Sequence, residues 1–277
     1  MLDFDEAREP VTPRAAATLI LVRDGDAGLE VIGMQRSLQS SFMGGAVVFP
    51  GGRVEAYDAA SAWPPEVATR AAGEWWDDEG FAARMAACRE ALEEVGVAPI
   101  AGASPTLAKR DELRTAKSAQ ELQAKLRALG GALDLAALVP LARWVTPTAE
   151  SRRFDARFFL ARAPSGQTPS IDRKEAIRTF STRPAELLEG YLAGAISLFP
   201  PTHRTLEWLA LARDVDDALS RARGACLEPI CPRFVLDKGA PTLALPGDPL
   251  HEVRTRRVEG KTRYVLRGER WTSEDAP

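Results

Sequence analysis

Residues 78–97 constrain this chain more than any other stretch. Phe81, Met85, Cys88, Leu92 and Val95 recur at intervals of three and four, the spacing of one helix face, and Gly96 supplies a stop. The spacing predicts an amphipathic helix from Asp78 to Val95 with that stripe against a core and Glu90, Glu93 and Glu94 looking elsewhere. Those carboxylates sit at i, i+3 and i+4, so all three share a face. Like charges so placed oppose helix formation by roughly 0.2–0.5 kcal/mol per pair. Such a face either lies in solvent or grips a cation. Hard divalent cations take oxygen ligands and share them with substrate phosphates. Some forty residues earlier stands Phe49-Pro50-Gly51-Gly52, where paired glycines let backbone come close to a ligand. Together the two segments suggest metal-assisted chemistry on a phosphate compound.

At 277 residues the chain is long enough to bury a sizeable core. A net charge of −3 gives no electrostatic footprint for nucleic acid or an anionic membrane. No apolar run approaches the ~20 residues that span a bilayer. The acidic start, Met1-Leu2-Asp3-Phe4-Asp5-Glu6, lacks the pattern of a signal peptide. Cys88, Cys226 and Cys231 are few, odd in number and without metal-site spacing, and read as reduced thiols of a cytoplasmic protein.

Short apolar runs at 15–22 and 29–35, divided by Arg23-Asp24-Gly25-Asp26, predict a hairpin. Residues 46–49 predict another strand, stopped by Pro50-Gly51-Gly52. Residues 105–129 predict one or two helices ending at Gly130-Gly131, and Trp144-Val145 and Arg157-Phe158-Phe159-Leu160 predict strands. A helix is expected over 202–223, entered through Pro200-Pro201 with Leu206, Leu209 and Leu219 inward. In the tail, 229–236, 242–245, and a hairpin of 252–258 with 262–267 about Glu259-Gly260 read as β structure. With no repeat and no low-complexity linker, one domain (1–224) with a β extension (225–277) packed on it is the expected organisation. Paired tail strands leave an open edge of the kind that finds a partner, so a homodimer is an expectation.

The acidic segment resembles the Nudix hydrolases. Their box runs Gly, five residues, Glu, seven residues, then Arg-Glu-apolar-x-Glu-Glu-x-Gly-apolar. Arg89 to Val97 match every fixed position of the second half, with Ala91 weak at the first apolar one. Gly52, five residues and Asp58 match the first half, with an acid one methylene short. Thirty residues, Ala59 to Cys88, stand where the box has seven. That interruption, with Gln35-Arg36-Ser37, Phe42-Met43, Trp144-Val145-Thr146-Pro147 and Arg153-Phe154-Asp155, is similar to the animal peroxisomal coenzyme A diphosphatases of this superfamily. Ser273-Glu274-Asp275-Ala276-Pro277 is no peroxisomal address, which favours a cytosolic, bacterial setting.

The resemblance implies an α/β/α sandwich around a mixed β-sheet, with helical insertions near 59–80 and 103–131 and the C-terminal β extension. It implies that Glu90, Glu93 and Glu94, with a glycine-loop carbonyl (Gly51), hold Mg²⁺ or Mn²⁺, and that Arg89 ties the helix to the loop through a carboxylate, with Asp58 as candidate partner. Glu175 is the candidate late acid that binds metal or takes a proton from water, and Glu150 competes with it. Arg36, Arg152, Arg153 and Gly52 are candidate contacts to a small nucleotide substrate. The implied reaction is hydrolysis of a diphosphate linkage, with coenzyme A or an acyl derivative as substrate. ADP-ribose, NADH, a dinucleoside polyphosphate, or a non-hydrolytic nucleotide-sensing role are the alternatives. Trp75-Trp76 reads as local packing, His203 as a capping or solvent-facing residue, and His251 as part of a tail turn. Neither histidine stands in a nucleophilic triad.

Overall fold

The computed structural model describes residues 4–5, 9–37, 45–73, 75–171, 176–268 and 270–276. The apolar run at 15–22 lies inside β1 (Arg14–Gly25), which turns back as β2 (Gly28–Arg36) in the expected hairpin. Only β3 (Val47–Val48) forms from 46–49. The glycines expected as a stop start another strand, β4 (Gly51–Arg53), antiparallel to β1. Proline blocks a strand by lacking an N–H, but here Pro50 is needed only as an acceptor, for Leu19 N at 2.9 Å.

Helix α1 (Asp78–Val95) covers the expected residues. Asp77 caps it by accepting from Gly80 N at 2.7 Å, and Gly96 ends it at φ 65°. After β5 (Ile100–Ala101), residues 105–129 make two helices, α2 (Leu107–Arg114) and α3 (Ala119–Leu129), because Ser118 opens a second N-cap. Then come β6 (Ala132–Leu133), β7 (Val139–Val145), β8 (Phe154–Arg162), β9 (Ala176–Thr182) and α4 (Pro184–Leu192). The single helix expected over 202–223 is two, α5 (Pro200–Leu209) and α6 (Val215–Ala222). Asp214 starts the second, accepting from Asp217 N at 2.8 Å.

The tail forms β10 (Pro229–Ile230), β11 (Arg233–Asp237), β12 (Ala240–Ala244), β13 (Arg263–Arg267) and β14 (Arg270–Glu274). The expected 252–258 strand is absent, and β13 pairs with β14 instead. Asp248 is the physical reason. Wholly buried, its carboxylate accepts from Leu250 N (2.8 Å), Thr262 Oγ1 (2.7 Å) and Arg263 Nε and Nη2 (2.8 Å each), which fixes an irregular loop.

The main sheet has the order β10-β7-β8-β1-β2-β3, with β4 also on β1 and β9 on β2. It is mixed: β1 runs parallel to β8 and β7 to β10, and its other pairs are antiparallel. Alternation along β1 sends Leu19 and Leu21 to one face and Ile20 and Val22 to the other, and both faces are buried. The first face packs on α1, α2 and α3. The second packs on α4, α5 and α6 together with the four-stranded sheet β11-β12-β13-β14, whose Leu243, Tyr264 and Trp271 enter the same core. This is the α/β/α arrangement with a C-terminal β extension, one outer layer being part helix and part strand.

His203 is not the exposed cap that its position suggested. It is buried beside Tyr191 and Tyr264, with Nδ1 3.2 Å from Tyr264 Oη. Burial, then Arg204 and Lys261, pull its pKa from 6.5 down to about 4. The unfolded chain therefore takes up this proton first as pH falls. The stabilisation is fully present above 6.5 and is lost towards pH 4, by up to roughly 3 kcal/mol. Denaturant melts of wild type and His203→Gln at pH 7.5, 5.5 and 4.5 should show a flatter acid decline for the variant. Parallel declines would assign the acid limb to other groups.

Candidate active site

Helix α1 carries Arg89, Glu90, Glu93 and Glu94 towards β4. A short 3₁₀ turn, Ala56–Asp58, brings Asp58 up to meet them, which makes good the missing methylene of the aspartate. Arg89 Nε donates to Asp58 Oδ1 and Nη2 to Oδ2, both at 3.0 Å, in a forked pair. Nη2 also donates to Arg53 O at 3.0 Å, and Nη1 to Glu90 Oε1 at 2.7 Å and Glu93 Oε2 at 3.4 Å. Asp58 is fully buried and also accepts from Glu55 N at 2.9 Å. Burial alone would lower the Arg89 pKa, but Asp58, Glu90 and Glu93 outweigh it and hold the guanidinium above its usual value. Burial raises the Glu93 carboxyl, with Glu90 and Asp58 adding to the rise and Arg89 opposing it.

Glu94 departs from the expectation that all three glutamates look away from the core. It is 4% exposed, and its Oε2 accepts from Gly51 N at 2.8 Å. Its Oε1 lies 4.0 Å from Arg36 Nη1. The two glycines have different reasons to be there. A Cβ on Gly51 would stand 2.5 Å from Ala17 O of the neighbouring strand, whereas one on Gly52 would stand 2.5 Å from the Glu90 carboxylate. Glu90 therefore lies in a cradle that any side chain at 52 would fill.

A cavity of about 610 Å³ opens on this corner. Glu90, Glu94, Gly51, Gly52 and Arg36 line one part of its wall, and Trp144, Phe199, Pro200, Pro201 and Leu243 line another. Glu150 (buried) and Arg152 also line it. Arg153, named with Arg152 from sequence, does not: its Nε donates to Thr146 O at 3.0 Å and its Nη1 to Val11 O at 2.7 Å, so it ties loops together. Glu175 and Phe42-Met43 lie outside the described residues. Trp75 meets Phe159 edge to face at 5.8 Å and Trp76 lies under Arg84 at 3.8 Å, both packed on the α1 side of the core. The apolar wall was not legible beforehand, since Pro200-Pro201 reads only as a helix start and Leu243 only as a strand residue.

Among the described residues no three His, Cys, Asp or Glu side chains are gathered as a ready metal cage. Glu90 and Glu93 lean on Arg89, and Glu94 on Gly51 N. Glu90 and Glu94 nonetheless bring carboxylate oxygens to the cavity wall, with Glu93 one turn along the same helix, and oxygen donors are what a hard divalent ion requires. The residues fit such an ion.

No family model matches the chain. It is 30% identical to human acyl-coenzyme A diphosphatase NUDT19 over 279 aligned residues, covering 81% of this chain and 72% of that one. The same diphosphatase of Gallus gallus is 30% identical over 230 residues, covering 64% of this chain and 60% of that one. Among solved structures, a NUDIX hydrolase from Alicyclobacillus acidocaldarius superposes with a TM-score of 0.66 at 28% identity, covering 76% of this chain and 96% of that one. The fold and these relatives define a hydrolase that cleaves diphosphate linkages. The chain belongs to the Nudix hydrolases.

Proposed function

We propose that this protein hydrolyses coenzyme A or an acyl-coenzyme A to a phosphopantetheine product and adenosine 3′,5′-bisphosphate. The observation that carries the reading is the cavity itself: an acidic helix and a Gly-Gly strand on one part of its wall, apolar side chains on another. A substrate with a diphosphate and a long, less polar arm suits that division. The relatives' names, acyl-coenzyme A diphosphatase, support the same substrate class.

In this reading Glu90, Glu93 and Glu94, with Gly51, hold a Mg²⁺ or Mn²⁺ ion. Such an ion neutralises the diphosphate and lowers the pKa of an attacking water. The chain's own residues do the rest. Arg89, clamped by Asp58, fixes where Glu90 and Glu93 stand. Arg36, beside Glu94, offers a cation to phosphate oxygens, and Arg152, which also lines the cavity, a second. Gly52 leaves backbone open to the substrate. Glu175 is assigned, on the sequence alone, as a further metal ligand or proton acceptor.

Purified protein with coenzyme A and either metal should release adenosine 3′,5′-bisphosphate, read by chromatography, and chelator should stop it. Release from ADP-ribose or NADH but not from coenzyme A would keep the reaction and discard the substrate. A nucleotide that raises Tm with no turnover of any of them would replace hydrolysis by sensing.

A further inference from the structure

A second cavity, of about 560 Å³, backs onto the first across Trp144, which lines both. Leu141 and Ala142 of β7 and Ile230 of β10 form part of its wall, and α5, α6, the 224–226 segment that follows α6 and the 256–260 loop form more of it. Four arginines line it, Arg204, Arg221, Arg256 and Arg257, with Glu259 the carboxylate among the lining residues, while Glu207 and Glu228 pair with Arg204 and Arg257 from beside it. Scattered surface arginines would need no explanation, but these come from three separate segments and meet in one concavity.

Each is tethered by only part of its guanidinium. Arg221 Nη1 donates to Trp208 O at 3.5 Å, with Nη2 3.5 Å from Glu259. Arg256 Nη1 donates to Gly260 O at 3.0 Å, and Arg257 Nη1 donates to Pro229 O with Nη2 3.7 Å from Glu228. Arg204 Nη1 donates to Glu207 at 2.6 Å and Nη2 to Lys261 O at 2.7 Å and Ser273 Oγ at 3.1 Å, so only its Nε is left over. A guanidinium has five N–H donors, so several remain on each of Arg221, Arg256 and Arg257. Arg204 adds an independent sign. It is 3% exposed, yet its Nε has no hydrogen-bond partner. A buried, incompletely bonded cation on a cavity wall is costly until an anion reaches it.

We infer that this second cavity binds the phosphate group of a small anion, a pyrophosphate or phosphomonoester, at a place separate from the carboxylates of α1. Planar, permanently charged guanidinium groups held at fixed positions suit phosphate oxygens better than a mobile lysine would.

Cys226 provides the readout, because it lines this cavity and is exposed whereas Cys88 is buried. The protein is treated with N-ethylmaleimide in chelator at constant ionic strength, and alkylation of the Cys226 peptide is timed by mass spectrometry. Inorganic pyrophosphate, or adenosine 3′,5′-bisphosphate in a parallel arm, should slow it several-fold. The Arg221→Ala/Arg256→Ala protein should be alkylated at one rate with or without either anion. Protection by both anions means that a phosphate group suffices, and protection by the bisphosphate alone means that it must be carried on a nucleoside. No protection by either, or equal protection in the double variant, overturns the proposal. Should the double variant fail to fold, Arg256→Gln is the substitute, since that side chain is exposed and bonded within its own loop.

Discussion

Asp58→Ala is expected to cost about 3–5 kcal/mol of folding stability, because it strips a buried guanidinium of its forked partner. In a domain of this size that lowers Tm by roughly 10 °C or more. Arg89 would be left among Glu90, Glu93 and Arg53 O, none of which replaces two parallel bonds at 3.0 Å. Adding Arg89→Met should recover part of the loss, since it removes the buried cation that Asp58 had paired, while Glu90 gives up its 2.7 Å bond to that cation. Thermal or denaturant melts of the three proteins decide it. A single variant within about 1 kcal/mol of wild type would mean that the pair is not what holds helix to loop.

Glu94→Gln should leave the fold intact and remove most of the turnover. The amide oxygen of glutamine can still accept from Gly51 N, so the α1–β4 contact persists. The negative charge beside Arg36 does not. A fall of about 10²–10³-fold in kcat is expected, the size seen when one preorganised electrostatic group is removed from a site. Tm should move by less than about 3 °C. Near-wild-type kcat would take Glu94 out of the site. Glu93→Gln makes a useful comparison, because Glu93 is the more exposed carboxylate and bonds only weakly to Arg89, at 3.4 Å.

Much of this was legible in the chain because the signals are local. The α1 helix declares itself by its stripe, its three carboxylates and Gly96, and its bounds agree with the structure. The strands at β1, β2, β7 and β8 follow from short apolar runs. What the sequence could not give depends on partners far along the chain. Gly51-Gly52 looks like a break until β1 is beside it. The helix expected at 202–223 divides because Asp214 recaps it, and a polar residue in a helical pattern does not announce that role. Asp248 looks like any loop acid, yet buried against Arg263 it decides which strands of the tail pair. The burial of His203 follows from where Tyr264 arrives, sixty-one residues later. For the site, motif and spacing brought together Arg89, Glu90, Glu93, Glu94 and the glycines, but the apolar wall comes from elements with no motif at all.

The central pairing of the sheet also has a kinetic side. Strand β1 lies along β8 in parallel register from Arg14 beside Phe154 to Val22 beside Arg162. Its middle position cannot be filled from that side until some 140 further residues have been synthesised and the intervening chain has closed back on itself. Closing a loop of that length costs entropy before any contact repays it, and pairings so distant in sequence are the slow ones. The second face waits longer still, since Tyr264 and Trp271 belong to its core. An emerging chain therefore carries one edge of β1 unpaired and its apolar faces incompletely covered for most of its synthesis, the interval in which a chaperone has something to hold.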